Sequence, residues 1–349
     1  MAAIRKTRES YELSAVRGVQ AGRQYYTVMC PLNVAVQLLK YSDSSLPPEI
    51  LAQRVLNKQR IPEIKDYIIN NTENYVFSAL TASVDGDIEF VRSKDNDRVG
   101  ILKISMNSNI IINDGQHRQA AIAQALEVNP ALRKEDISIV IFYDQGLRRS
   151  QQMFTDLNRH AVRPTKSLNI LFDNRDSFSI LIKECIEQIP MFCGSVEMEK
   201  STISNRSKSL FTLSGIFHAS QDLIKSKEWT DEEKKSAIIS FWNAAAANLI
   251  PWQYAKDRKI PPEEFRRDYV CAHTIMLRAL GSLGRGIIDT PQSEWQGRLI
   301  FLREIDWRKS NSEFQGVVLV NERITASRNN QAAFAKYVEE KLAQSEVKG

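Results

Sequence analysis

Apolar and polar positions alternate from about residue 10, and Tyr25, Tyr26, Val28 and Met29 suit a strand. Pro31 then opens a helix that carries Leu32, Val36, Leu38 and Leu39. After a polar, proline-bearing connection the pattern turns helical over 49–59, with Ile50, Leu51, Val55 and Leu56 on one side. Pro62 fits the first turn of a further helix that places Ile61, Ile64, Tyr67 and Ile68 at helical spacing and ends at Asn70-Asn71. Residues 75–113 change to strand character. The run Val76 to Leu80, the turn Asp85-Gly86-Asp87 and the run Ile88 to Val91 predict a hairpin. Leu102, Ile104 and Met106 alternate, and Ile110 to Ile112 form a buried strand. A helix follows over 116–127, a strand over Ile137 to Tyr143 and a basic-faced helix over 147–158.

The texture changes near residue 167. Helical periodicity dominates 170–189, 208–226, 231–249 and 263–280, with Pro251 and Pro261-Pro262 as breaks. A short strand over Val317 to Val320 and a helix over 329–343 close the pattern. The chain therefore reads as α/β (α+β): an N-terminal α/β domain over 1–166 and a mainly helical domain over 167–349. Its 349 residues fit two units, since domains cluster at roughly 100–200 residues.

Composition narrows the class. A hydrophobic content of 43% argues for packed cores rather than disorder. No apolar run approaches the ~20 residues of a membrane span, and no apolar stretch follows the basic start. A cytoplasmic protein is expected. Cys30, Cys185, Cys193 and Cys271 are scattered, which favours reduced thiols over a zinc site or disulfide framework. No metal site is expected from the protein's own ligands. The net charge of +5 permits a nucleic-acid contact through a local patch without demanding one.

The densest chemistry lies at Asp114-Gly115-Gln116-His117-Arg118, between the buried strand and an alanine-rich helix. Gly115 can take a positive φ and let a ligand approach the backbone. The amides opening the next helix favour an anion. Arg118 offers a planar fork suited to phosphate, Gln116 neutral hydrogen bonding, and His117 an acid or base near neutral pH. Asp114 can cap the helix, hold a metal through water or orient His117. The plainer alternative is an Asp-Gly turn with a helix cap and solvated polar side chains. Arg54, Asn57 and Arg60 recur every three residues. On a continuous helix they share a face that is either a phosphate contact (Arg54, Arg60) or a solvated basic surface.

Two more stretches carry basic residues. Asn158-Arg159-His160 with Arg163 and Lys166 either lines the same cleft as the 114–118 turn, meets a nucleic acid or balances a helix C-terminus. The run Lys200 to Lys208, with Lys200, Arg206 and Lys208 among hydroxyl and amide groups, has the composition of a DNA-phosphate contact and equally of a surface loop. Lys256, Arg258, Lys259, Arg266 and Arg267, interleaved with Asp257, Glu263 and Glu264, read as a salt-bridged surface. His218 and His273 read as structural, and Trp242, Trp252, Trp295 and Trp307 as packing anchors.

The five-residue turn resembles the signature of the DGQHR-domain family. Gln20-Ala21-Gly22-Arg23 with Tyr25-Tyr26, Gln53-Arg54, Arg60-Ile61-Pro62-Glu63-Ile64, Asp306-Trp307 and Ser327 to Asn330 extend that resemblance over most of the chain. Within the family the chain is most similar to members encoded with the bacterial DNA phosphorothioation (Dnd) genes. The wider superfamily is similar to ParB and sulfiredoxin, which carry Gly-Glu-Arg-Arg and Gly-Cys-His-Arg where this chain has Gly115, Gln116, His117 and Arg118. Gln116 replaces the sulfiredoxin cysteine, which disfavours sulfinic acid repair. The resemblance implies a ParB/sulfiredoxin-like N-terminal domain with a mixed sheet and a DNA-binding repressor of the phosphorothioation (dnd) operon. Its implied partners are double-stranded promoter DNA and other Dnd proteins. A homodimer is expected because promoter regulators often match palindromic sites through two-fold symmetry. The ligand expected at the turn is ATP or another NTP with Mg, bound by Gly115, Gln116, Arg118, Arg54 and Arg60. The competing reading is an NTPase coupled to DNA nicking, with Asp114 and His117 as catalytic groups. A scaffold bridging other modification proteins is the third.

Overall fold

The alternating residues near the start of the chain form antiparallel strands β1 (Arg5–Lys6), β2 (Ser10–Gln20) and β3 (Arg23–Pro31). Leu13, Ala15, Tyr26, Val28 and Cys30 are buried while Val16 and Met29 are exposed, the period of two expected of a sheet with one covered face. Ala21 and Gly22, both at positive φ, make the two-residue turn between β2 and β3. The computed structural model describes residues 5–6, 10–39, 59–145, 149–159, 164–204, 206–321 and 323–348. It divides into two compact units, Met1–Val162 and Arg163–Gly349.

In the first unit Pro31 precedes α1 (Leu32–Leu38), and α2 (Arg60–Asn70) follows. The helix expected over 49–59, with Arg54, lies outside the described residues. Four strands come next: β4 (Leu80–Asp85), β5 (Ile88–Arg92), β6 (Val99–Ser105) and β7 (Asn109–Asp114). The expected hairpin at Asp85-Gly86-Asp87 does not form. β4 pairs with β7, and β5 pairs with β6, both antiparallel. The Asp85–Asp87 turn is thus a bend midway along a long two-stranded ribbon. Strand partnership was decided by residues beyond the turn, on β6 and β7, which a local turn signal does not report. Then come α3 (Gln116–Val128), β8 (Asp136–Tyr143) and α4 (Ser150–Arg159). The sheet runs β5-β6-β2-β3-β8-β4-β7 with β1 beside β2, and within this sheet only β4–β8 is parallel among the described pairings. It is the mixed sheet expected. Leu80, Ala82, Val84 and Ile112 join the core, while Ser83 and Asn113 alternate to the other side of their strands, where α4 packs on β7.

The second unit is mainly helical: α5 (Lys166–Phe172), α6 (Ser177–Gln188), α7 (Leu213–Leu223), α8 (Asp231–Asn248), α9 (Ile250–Lys256), α10 (Pro262–Asp268), α11 (Thr274–Ile287), α12 (Trp295–Arg298) and α13 (Arg328–Lys348). Short strand pairs β9 (Val196–Glu197) with β10 (Phe211–Thr212) and β11 (Leu319–Val320) with β12 (Arg323–Ile324) complete it. Two expected helices are split. The 170–189 helix breaks where Asp173 accepts from the amides of Arg175 and Asp176, and Asp176 then caps α6 through the Ser179 amide. The 263–280 helix breaks at Tyr269–His273, where the Val270 amide donates to the Trp307 carbonyl at 2.8 Å and Tyr269 pairs with Arg308. Long-range backbone pairing outcompetes helix continuation there. Thr230 and Glu233 form a capping box on α8. Trp242, Trp252, Trp295 and Trp307 are buried as expected. Their indole N–H groups donate to Ser220 Oγ and to the carbonyls of Cys271, Thr290 and Leu302. Among the described residues no helix is long and apolar enough to cross a membrane.

Candidate functional site

The turn from β7 to α3 depends on glycine. Gly115 sits at φ +99°, and a Cβ there would lie 2.4 Å from Cδ2 of the buried Leu80. Its carbonyl accepts the first helical bond, from the Gln119 amide at 2.9 Å. No side chain caps α3, so its opening turn is left to favour an oxyanion.

Neighbouring elements enclose this helix start. Along α2, Arg60, Glu63, Ile64 and Tyr67 recur at i, i+3, i+4 and i+7 and form one stripe. Phe154 and Asn158 project from α4 at i, i+4, and Phe77 precedes β4. With Asn113 to Arg118 these residues line a cleft of about 550 Å³, within the usual size of ligand sites. Five expected ligand or catalytic positions of the turn, together with Arg60, are therefore brought into one place.

The roles of those side chains divide. Arg118 Nη2 donates to Asp114 Oδ2 at 2.6 Å. Its Nη1 donates to the carbonyls of Ser78 at 2.6 Å and Ala79 at 3.2 Å and to the Ser78 hydroxyl. With its side chain 17% exposed, Arg118 braces the turn against the start of β4. Arg60, exposed at the first position of α2, is the cation better placed to reach an incoming anion. Gln116 Nε2 donates to the Ile112 carbonyl at 3.3 Å. Beneath the turn, the fully buried Asn113 donates to Ser83 Oγ at 2.6 Å and accepts from Ser150 Oγ at 2.7 Å, tying β7, β4 and α4 together.

Burial, and secondarily the Arg60 charge, hold His117 below the ordinary histidine range. Its ring is neutral at neutral pH. The folded state resists its protonation, so this contribution to stability is complete above the ordinary value of 6.5 and is lost as pH falls below it. An anion in the cleft offsets the Arg60 charge and, paired with the protonated ring, raises its proton affinity. Anion binding is therefore expected to tighten as pH falls through the histidine range, between about pH 8 and 5. A tenfold gain in proton affinity becomes about a tenfold gain in anion affinity. Sulfate titrations across that range should show the trend in wild type and lose it in His117→Gln; a flat wild-type profile contradicts it.

Glu63 and Asp114 are the carboxylates lining the cleft. Mg usually takes one or two carboxylates with phosphate and water as its remaining ligands; Glu63 and Asp114 are the residues that would offer them here, and Asp114 Oδ2 is already paired with Arg118. Among the described residues no group of three or more His, Cys, Asp and Glu could hold a metal ion alone.

The structure describes only some of the expected nucleic-acid contacts. Arg163 is outside the described residues, and Arg159 ends α4 with a side chain that is not described. Lys200, Arg206 and Lys208 are exposed in the second unit on the segment between β9 and β10. The second basic cluster is only partly the salt-bridged surface expected. Lys259–Asp257 and Arg267–Asp268 pair, at 3.3 and 2.8 Å. Arg258 instead donates to the Lys208 carbonyl, Arg266 to those of Ser204, Ser207 and Ser209, and Lys256 to Cys193 O and Ser195 Oγ. These cations staple the 193–209 segment, whose carbonyls the sequence does not mark as partners. The sequence also left Asn113, Glu63, Tyr67, Phe77 and Phe154 unassigned to the cleft. The stripe Arg60, Glu63, Ile64, Tyr67 was the one local signal that pointed to it.

Fold and site define a two-unit α/β protein whose mixed-sheet unit carries an anion-favouring cleft at a strand-to-helix turn. The model of the DndB family, DNA-sulfur modification-associated, matches residues 13–345, and the chain belongs to that family. No curated protein and no solved structure matches it.

Proposed function

We propose that the chain is a DNA-binding repressor of the DNA phosphorothioation operon, and that its 114–118 cleft binds a nucleoside triphosphate that tunes DNA affinity. The observation that carries this reading is the gathering of Arg60, neutral His117 and the uncapped start of α3 around one cleft, in a chain of this family. Lys200, Arg206 and Lys208 are the DNA-phosphate contacts, and a homodimer meets the two halves of a palindromic operator. Fluorescence anisotropy of the purified full chain on a dnd promoter fragment and on a scrambled duplex tests this. The promoter should bind at least about a thousandfold tighter, with affinity falling steeply as salt rises. Replacing Lys200, Arg206 and Lys208 together by alanine should weaken both duplexes. Equal affinity for the two duplexes would sink the proposal.

One observation favours a second reading, an NTPase coupled to DNA nicking. A neutral His117 beside Asp114 can accept a proton from an attacking water. That reading requires NTP hydrolysis that disappears in His117→Ala while the fold persists; hydrolysis by His117→Ala removes the ring from the role.

A further inference from the structure

The second unit contains a recess of about 630 Å³ at the junction of α10 and α11. It is independent of the cleft at the 114–118 turn. Arg266 from α10, Lys309 and Arg323 line it, with Glu263 as the carboxylate among its described lining residues. α11 opens into it at His273 and Thr274, and no side chain caps that helix.

The cations here are arranged differently from a surface patch. The Arg266 guanidinium is occupied by the carbonyls of Ser204, Ser207 and Ser209, so it forms a charged wall. Lys309 is half-buried, and its ammonium donates to the Arg266 carbonyl at 3.0 Å. The nearby Asp268 carboxylate is held on both oxygens by Arg267, at 2.8 Å each. Burial pushes the Lys309 ammonium below its usual range and holds His273 down at about 4, so the ring adds no charge. A half-buried cation and an uncapped helix start thus line one recess, which supplies the donors of an oxyanion site. Its volume exceeds that of a bare phosphate, and Ile203 and Ile324 give it apolar wall.

We infer that this recess is a second oxyanion site, which takes the phosphate monoester of a small organic molecule. Lys309, Arg323 and the first turn of α11 hold the phosphate, and the body lies against Ile203 and Ile324. Because Arg266 also staples the 204–209 segment, occupancy bears directly on the stretch that carries Arg206 and Lys208.

Calorimetric titration of the full chain with inorganic phosphate and with AMP tests the assignment. Saturable binding is expected, tighter for AMP. Lys309→Met should weaken it at least about tenfold, the loss of one charge-assisted contact, and Arg323→Ala several-fold. Arg60→Ala, in the other unit, should leave this binding in place, which separates the recess from the 114–118 cleft. If Lys309→Met does not fold, Arg323→Ala carries the test, since Arg323 is exposed on a two-residue strand. Absence of saturable binding, or binding that neither variant alters, overturns the inference. Duplex DNA serves as the competing source of phosphate. DNA binding that these variants reduce, with neither small probe bound, would assign the recess to phosphodiester and likewise overturn it.

Discussion

Replacing Gly115 with alanine is expected to destabilise the first unit by roughly 2–4 kcal/mol and to abolish ligand binding in its cleft. Two costs add. At φ +99° an alanine occupies a conformation that L side chains rarely adopt, and its methyl must also displace Leu80 Cδ2 from 2.4 Å. Leu80 is fully buried, so it has little room to yield. The same methyl meets Arg118 Nη2 at 3.1 Å, pressing on the brace that sets the direction of α3. Hydrogen exchange of the β4 and β7 amides under native conditions reads this directly. All five tryptophans lie in the second unit, so their fluorescence on urea unfolding is an internal control for that unit. A loss of stability below about 1 kcal/mol would mean that the turn relaxes and that glycine is not required.

Asn113→Ala should be nearly as damaging, at roughly 2–4 kcal/mol, although Asn113 stands outside the five-residue turn. Its amide group bridges Ser83 and Ser150 at 2.6 and 2.7 Å, and all three residues are buried. Truncation deletes both hydrogen bonds and leaves a small cavity between β7, β4 and α4. Asn113 is uncharged and lines the cleft from a fully buried position, so a fall in the proposed nucleotide affinity that tracks the loss of stability would mark it as a positioning residue. Pairing Asn113→Ala with Ser83→Ala should cost clearly less than the sum of the two single changes, because they remove the same bond. Strict additivity would show that the Asn113–Ser83 bond is not made.

These two residues also show what the sequence could reveal. The turn at Gly115 was legible because strand, glycine and helix are consecutive, and Arg60 because it follows Arg54 and Asn57 at a spacing of three. The α/β first unit and the helical second unit followed from hydrophobic period, and the mixed sheet from the family resemblance. Asn113 was not legible, since its partners are 30 and 37 residues away. Arg118 looked like an open phosphate fork, yet Ser78, forty residues earlier, claims one of its terminal nitrogens. The ribbon bend at Asp85–Asp87 carried a hairpin's local chemistry, but strand partners were chosen across the sheet. Interactions that close over such separations leave no local periodicity to read.

The central claim is that the cleft holds a nucleotide whose binding is linked to DNA binding. It is tested most directly by promoter affinity measured with and without saturating ATP, in wild type and in Arg60→Ala. Reciprocal linkage predicts a five- to hundredfold change in wild-type affinity, within the roughly 1–3 kcal/mol typical of coupled sites, and little or none in Arg60→Ala. Promoter affinity that is identical with and without ATP in the wild-type chain would contradict it.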